Sequence, residues 1–523
     1  MSAATPASCD GQPAARVISA RELLRATSAK SANHLVMAAL LIIVHTIVWT
    51  IASDVMRWPG ALWDDMLEAY SWAQHWQLGY YKHPPFYAWI VGVWFKIFPR
   101  ADWAFYLLSA VNVGVGFIGV WWLAGRFVKP DAQLLSVLLL TFMPYYNYMA
   151  LNFNANTVLL SLWPWTSYAF VRSLEKRTIA WGALFGMFAG VCLLSKYYSI
   201  LLLASCFVAS LLHPEARRYY ASPAPYVAVA VAALVFSPHV WWAVSNDFPT
   251  LKYALSKTGQ TWSYNSYRAL IAGLAAIGLN LQAAAIFVSA LGRRRSALRG
   301  DAWHKMLAPE RRWLLVLTLG PLLLTLTLGA VGYVKVLLNF LIPVFFMAPL
   351  MLLIAFEQAI TAHSVRNVIR AVVILMIGSM VVAPIAAYTT FAVQLHGTSE
   401  ITPEAARDAA RHWHEAFPHP LKIVAGSEKN SLAQVFYGPD HPVEFTHFDF
   451  GHAPWINVDR INREGLLTIC NDDDVVCIAR AQHFANTDTR LIKTSVGKTV
   501  FGIVGPKQGL VYIMTPPRTF LTE

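Results

Sequence analysis

The chain has 523 residues, of which 56% are hydrophobic and only 13% charged. A soluble globular protein carries about 25% charged residues, so the composition excludes one, and recurring apolar runs of roughly 18 residues or more mark a polytopic α-helical membrane protein. The net charge of +12 does not point to nucleic acid, because the basic residues fall mainly in short loops between apolar runs and no basic polar domain with interleaved aromatics is present.

Residues 1–32 are rich in Ala and Ser and carry Arg16, Arg21, Arg25 and Lys30; a cytoplasmic, partly disordered tail is expected there. The apolar run 34–52 is too long for an ordinary cleaved signal and reads as a first span. Residues 53–103 then form the first loop on the opposite side. Within it, Trp58 to Phe98 reads WPGALWDDMLEAYSWAQHWQLGYYKHPPFYAWIVGVWFKIF. Asp64, Asp65 and Glu68, at helical spacing, are expected on one face, with Trp72 extending it. An ionised carboxylate at the bilayer centre costs roughly 2.5–3.5 kcal/mol, so a pair beside the membrane suits a polar cavity; a solvated helix start stabilised by its dipole is the equal alternative. Tyr80, Tyr81, Trp63 and Trp72 could stack on a sugar, although interfacial aromatics are the default reading.

Further spans are expected near 104–124, 132–150, 156–171, 179–194, 198–212, 224–242, 269–291, 313–331, 336–356 and 368–390, about eleven in all. With the N-terminus inside, the loops Gly125–Asp131, Arg172–Thr178, His213–Tyr220, Gly292–Arg312 and Glu357–Arg370 are cytoplasmic, and they hold the clusters of Arg and Lys. The positive-inside rule is satisfied, which predicts an odd span count and an outside C-terminus.

On the outer side, Lys82, Lys196 and Lys335 each stand in a turn with little other polarity, on the face where lysine is unwelcome. Together with His83 they could clamp a phosphate or pyrophosphate and stabilise charge developing on a departing group. Independent snorkelling to headgroups accounts for any one of them, but less well for three. Asn152, Asn154 and Asn156 alternate at the outer end of a span pair; they can orient a sugar, or Asn156 or Thr157 can cap the next helix.

The tail 391–523 changes character. TPEAARDAARHWHEAF reads as an amphipathic helix opened by Thr402 and Pro403, and LKIVAG, PVEFTHFDF, LLTICN, LIKTSVGKTVFGIV and LVYIMTPP read as short strands. A small α/β domain outside the cytoplasm is expected. Its histidines, from His412 to His452, lack ligand spacing, so no metal site is expected there. Cys192 and Cys206 read as small core residues; Cys470 and Cys477 are free or bridged, and the spacing leaves both open.

The W-DD-x-E start, the YYKHPP tract, FNANTVLLSLWPW, GVCLLSKYYS, FSPHVWW with NDF, and YVKVLLNFLIP occur in this order. Over roughly residues 35–390 the chain thereby resembles polyprenyl-phosphate-dependent glycosyltransferases of the GT-C fold, notably bacterial relatives of protein O-mannosyltransferases and of the enzymes that put aminoarabinose or galacturonic acid on lipid A and core. The resemblance implies a GT-C transmembrane domain over 33–390 with its catalytic loop at 53–103, and a periplasmic α/β domain over 391–523. It implies a bacterial inner-membrane protein that moves a monosaccharide, with inversion, from a polyprenyl-phosphate donor to a lipid A, core or other lipid-linked or glycan acceptor. An acid in the first periplasmic loop is implied near the reacting centre, falling on Asp64 with Asp65 beside it, and the tract before the di-proline is implied to bind donor phosphate, falling on Lys82 and His83. Relatives often show acidic-Lys-Pro-Pro there, whereas this chain has Lys-His-Pro-Pro. Many carry an acid where this chain offers Asn154 and Asn156. No cofactor is needed for such a displacement, and a divalent metal is left open. The rival readings are an oligosaccharide ligase or polymerase using a pyrophosphate-linked glycan and, further off, a membrane transporter.

Overall fold

The computed structural model describes residues 20–256, 262–292, 308–331, 335–394 and 400–518. The expected N-terminal tail lies outside these residues as far as 19, and from Ala20 the chain is already in a helix that continues to Arg57. The basic run at 293–299 lies outside them as well.

Apolar runs without internal breakers form the long helices. Among the described residues, six are long and apolar enough to cross a membrane: Ala32–Arg57, Asp102–Ala124, Ala224–Ser245, Tyr264–Ala290, Pro309–Ala330 and Ala362–Ala392. Pro130–Leu140 and Pro144–Leu151 meet at 81°, and Pro144, which has no N–H to donate, stands at the break. Ile179–Ser195, Tyr197–Leu212 and Ala348–Ala359 are shorter apolar helices.

Small residues set the helix packing. Gly182 and Gly186 lie against Ala224 and Ala228, and a Cβ at Gly186 would sit 2.3 Å from the Ala228 carbonyl oxygen. In lipid, where apolar surface gives little drive for association, such close backbone approach is the means of joining helices. This pairing fixes the end of Ile179–Ser195, and so the position of Lys196 immediately after it.

The first loop holds two short helices, Asp64–Ala73 and Phe86–Trp94. Acidic residues in the first turn of Asp64–Ala73 complement its dipole, while Met66, Leu67, Tyr70 and Trp72 are buried. Between the helices the YYKHPP tract is tied down by the Tyr80 hydroxyl donating to Trp72 O at 2.7 Å and by Tyr80 N donating to His83 O at 3.1 Å.

Residues from Ile401 onward form an α/β domain. Thr402–Ala416 is the expected amphipathic helix, with Pro403 in its first turn and Ile401, rather than Thr402, as N-cap. The strands are β1 (Ile423–Gly426), β2 (Val443–Glu444), β3 (Leu466–Asn471), β4 (Arg490–Val496), β5 (Thr499–Val500), β6 (Ile503–Val504) and β7 (Gln508–Thr515). The main sheet has the order β2-β1-β3-β7-β4, and β5 and β6 make a separate hairpin. β2, β1 and β3 are parallel; β7 and β4 run antiparallel. Cys470 and Cys477 form a disulfide, and Cys192 and Cys206 are buried free thiols.

The helix Glu428–Tyr437 docks this domain on the first loop. Leu62 N donates to the Tyr437 hydroxyl at 2.9 Å, which donates to Asp102 at 3.2 Å. Ser71 donates to the buried Glu444 carboxyl at 3.4 Å.

Candidate functional site

A cavity of about 570 Å3 opens where the first loop meets the ends of several apolar helices. Asp65, Glu68, Lys82 and His83 line it from the loop, Asn154 and Asn156 from the turn before Leu159–Lys176, Lys196 from the turn after Ile179–Ser195, and Lys335 from the segment before Leu338. The three lysines therefore converge on one space, although they lie far apart in the chain.

The carboxylate at this cavity is held by amides. Asn154 Nδ2 donates to Asp65 Oδ2 at 2.9 Å, and Asn152 Nδ2 to the same oxygen at 3.2 Å. Asn154 Oδ1 meanwhile accepts from the backbone N–H groups of Asn156 and Thr157 at 2.8 and 3.1 Å. One side chain thus closes the turn and aims the acid. Lys196 Nζ donates to Asn156 Oδ1 and lies 4.4 Å from the Phe340 ring centroid. Lys335 Nζ is 5.6 Å from that of Tyr264.

Lys82 stands between two carboxyls, with Glu68 Oε1 at 2.6 Å and Glu428 Oε1, from the C-terminal domain, at 3.0 Å. The Glu68 side chain is 7% exposed. Burial pushes its carboxyl up to about 8, against the pull of Lys82, and Glu428 stands as a second carboxyl on the same ammonium. Burial alone would lower the Lys82 ammonium, but the facing Glu68, Tyr81 and Glu428 oxygens more than reverse it, and Lys82 stays charged. Burial brings Lys196 down to about 8, with Asp65 opposing. The ammonium groups can hold an anion in this space, and a carboxylate beside them can accept a proton.

The geometry does not bring all of the expected residues to this cavity. Asp64 does not line the cavity: its carboxylate lies 3.5 Å from Lys429 and is 59% exposed. Adjacent helical residues point about 100° apart, and here Asp65 faces the space while Asp64 turns toward Lys429. Tyr80 and Tyr81 line a neighbouring cleft instead. Trp72 is fully buried and stacked on Tyr80 at 4.7 Å, and Trp63 packs under the Arg57 guanidinium at 4.2 Å; neither lines the cavity. His83 faces the cavity, but burial, then Lys196 and Lys82, hold its imidazole well below the ordinary range. It is a neutral hydrogen-bonding group rather than a further cation.

Comparison with known proteins bears on this arrangement. Residues 82–242 match the family model for dolichyl-phosphate-mannose-protein mannosyltransferases. ArnT from Cupriavidus metallidurans, solved with undecaprenyl phosphate bound, superposes with a TM-score of 0.58 at 16% identity, over 90% of this chain and 97% of that one. The chain has the GT-C fold. It is thus a multi-pass membrane protein of GT-C type, as the ordered motifs implied. By sequence it is similar to two proteins of Rhizobium johnstonii. The lipopolysaccharide core galacturonosyltransferase RgtB is 28% identical over 316 residues, 57% of this chain and 62% of that protein. The lipid A galacturonosyltransferase RgtD is 26% identical over 190 residues, 36% and 40% of the two chains. The chain therefore matches about three-fifths of the length of one curated relative and two-fifths of the other.

The matched stretch 82–242 begins at Lys82 and includes Asn154, Asn156 and Lys196, so the GT-C core carries much of the cavity. Among the described residues, no group of three His, Cys, Asp or Glu side chains is gathered as a metal's ligands would be. The sequence reading missed Glu428 and Lys429, which bring the C-terminal domain onto Lys82 and Asp64. Their only local signal is a charged pair in the first turn of a helix directly after a strand, where open α/β sheets place functional groups.

Proposed function

We propose that this protein is an integral-membrane glycosyltransferase that moves a monosaccharide from a polyprenyl-phosphate donor to a hydroxyl of a lipid A, core or similar lipid-linked acceptor. The observation that supports this best is that Asp65, Lys82, Lys196 and Lys335 line one cavity. The proposal includes the topology expected above: about eleven spans, the N-terminus cytoplasmic, and the first loop and C-terminal domain on the periplasmic face of a bacterial inner membrane.

In this reading the donor phosphate lies among the three ammonium groups, and His83 donates a hydrogen bond to it. The acceptor oxygen attacks the anomeric carbon from the face opposite the phosphate. A carbon–oxygen bond forms there, and the bond from the anomeric carbon to the phosphate oxygen breaks. The electron pair leaves with the polyprenyl phosphate, and the acceptor proton passes to Asp65. Asn152 and Asn154 fix Asp65 by its Oδ2 and leave Oδ1 for that proton, a role as general base. The lysines stabilise the charge that grows on the leaving phosphate. Holding both lipid-borne partners at one membrane face supplies proximity.

Binding of undecaprenyl phosphate to the purified protein in nanodiscs tests the phosphate site. Wild-type protein should bind it, and Lys82→Ala, Lys196→Ala and Lys335→Ala should each weaken binding by about tenfold or more. Unchanged affinity in all three variants would remove the basis of the proposal.

A further inference from the structure

A second cleft, of about 960 Å3, lies between the YYKHPP tract, the segment 242–256 and the C-terminal domain. It shares Lys82 and Tyr253 with the first cavity, so the two spaces are neighbours across a wall of two side chains. The mechanism above makes no use of it.

Its lining combines aromatic surface with separated polar groups. Tyr81, Trp242, Tyr253 and Trp455 supply the rings, and Asn246, Ser256, His447 and Asp449 the hydrogen-bonding atoms. Apolar ring faces beside dispersed donors and acceptors match a sugar, which has C–H faces and hydroxyls at its edges. The rings are held in place beforehand. Tyr81 stacks on His452 at 3.9 Å and Trp455 on His75 at 3.8 Å, and Trp455 Nε1 donates to Glu444 O at 3.2 Å. Gly79 lets the Trp242 ring close on the tract, since a Cβ there would fall 2.2 Å from it. Such fixed platforms cut the ordering cost of binding.

The charges favour an uncharged occupant. Among the described lining residues, Lys82 is the cation assigned to the donor phosphate next door, and Lys252 bonds to Asp247. Glu428 and Asp449 add carboxyls to the wall. Burial lowers both His447 and His452 from the ordinary histidine range, which favours their neutral forms. A second phosphate placed here would meet the Glu428 and Asp449 carboxyls and a Lys252 already bonded to Asp247, whereas sugar hydroxyls would meet acceptors.

We infer that this cleft binds an uncharged saccharide of the acceptor and presents one of its hydroxyls to the cavity next door, so that the new glycosidic bond is made to a sugar oxygen rather than to a phosphate. This inference rests on the glycosyltransferase reading. Tyr253 and Lys82 then stand where the two substrates meet.

The test uses the full-length protein in nanodiscs with a labelled polyprenyl-phosphate sugar. The acceptor probe is lipopolysaccharide from cells lacking this protein, either untreated or stripped of phosphate by hydrofluoric acid. Donor hydrolysis without acceptor is measured in parallel. The stripped material should accept label at a rate within about twofold of the untreated material. Asn246→Ala and Trp455→Ala should raise its KM about tenfold or more while leaving donor hydrolysis unchanged. Asn246 is exposed, so its variant keeps the test meaningful if the Trp455 variant folds poorly. Loss of acceptance on stripping, or an unchanged acceptor KM in the Asn246 variant, would overturn the inference while donor turnover kept the enzyme reading intact. Absence of any donor turnover in the wild-type protein would overturn both.

Discussion

The amide nitrogen of Asn154 lies 2.9 Å from Oδ2 of Asp65. It joins the turn before one apolar helix to the first helix of the first loop, and holds the one of two adjacent aspartates that faces the cavity. Asn154→Asp keeps the Oδ1 acceptor that closes the turn but loses the donor and adds a repelling charge. A hydrogen bond to a charged group contributes roughly 1.5–3 kcal/mol. We expect kcat to fall by about tenfold or more with the donor KM little changed, as steady-state kinetics would show; an unaltered kcat would separate Asn154 from the chemistry.

Two groups on the cavity titrate near the same pH. Burial raises Glu68 to about 8 and lowers Lys196 to about 8. As pH rises through this value, Glu68 gains a negative charge and Lys196 loses a positive one, and both changes repel a phosphate. The donor KM should therefore climb above about pH 8, and Glu68→Gln should remove part of the climb. A KM that stays flat to higher pH in the wild-type protein would contradict this.

The same Glu68 carboxyl affects folding. Its native-state value is raised, so the folded protein holds this proton more tightly than the unfolded chain does. The group costs nothing below the ordinary glutamate range and destabilises progressively as pH rises from there toward about 8. Glu68→Gln should raise the thermal midpoint at pH near 8 more than at pH near 5, as scanning fluorimetry in detergent would record.

Lys82 offers a separate comparison. Glu428 lies 3.0 Å from its ammonium, and in the proposed reading it competes with the donor phosphate for that charge. Glu428→Gln should lower the donor KM several-fold by removing a competing anion, and Lys82→Ala should raise it. Fold should survive in the lysine variant, because Glu68 can keep its proton and the Glu428 side chain is 43% exposed to water. Equal donor KM values in the two variants would show that Lys82 does not meet the phosphate.

Much of this was legible before any geometry, and for clear reasons. Long apolar runs can satisfy their backbone in lipid only as helices, so the six long apolar helices fall on expected spans, whereas the run 132–150 is broken by a bend of 81°. A lysine in a turn expected on the outer side defies the positive-inside bias, so Lys82, Lys196 and Lys335 stood out singly, and the structure adds that they share a cavity. The strands of the C-terminal domain were visible in short β-branched runs set off by Gly, Pro and Asn. What stayed hidden depended on contacts between distant segments. The choice between Asp64 and Asp65 turns on Lys429 and on Asn152 and Asn154, which no local spacing connects to them. Tyr81 looked like part of the site and belongs to the adjoining cleft, because His447 and His452 reach it from the C-terminal domain. The state of Cys470 and Cys477 was likewise decided by the meeting of β3 with the following helix.

Sugar transfer in the proposed mechanism requires above all that Asp65 take the acceptor proton. The most direct test of that requirement is the rate of sugar transfer from a labelled polyprenyl-phosphate donor by matched Asp64→Asn and Asp65→Asn proteins in nanodiscs. Asp65→Asn should lose about 100-fold or more, while Asp64→Asn, whose carboxylate faces Lys429, should keep activity within about threefold. Near-normal transfer by the Asp65 variant, or loss confined to the Asp64 variant, would contradict it.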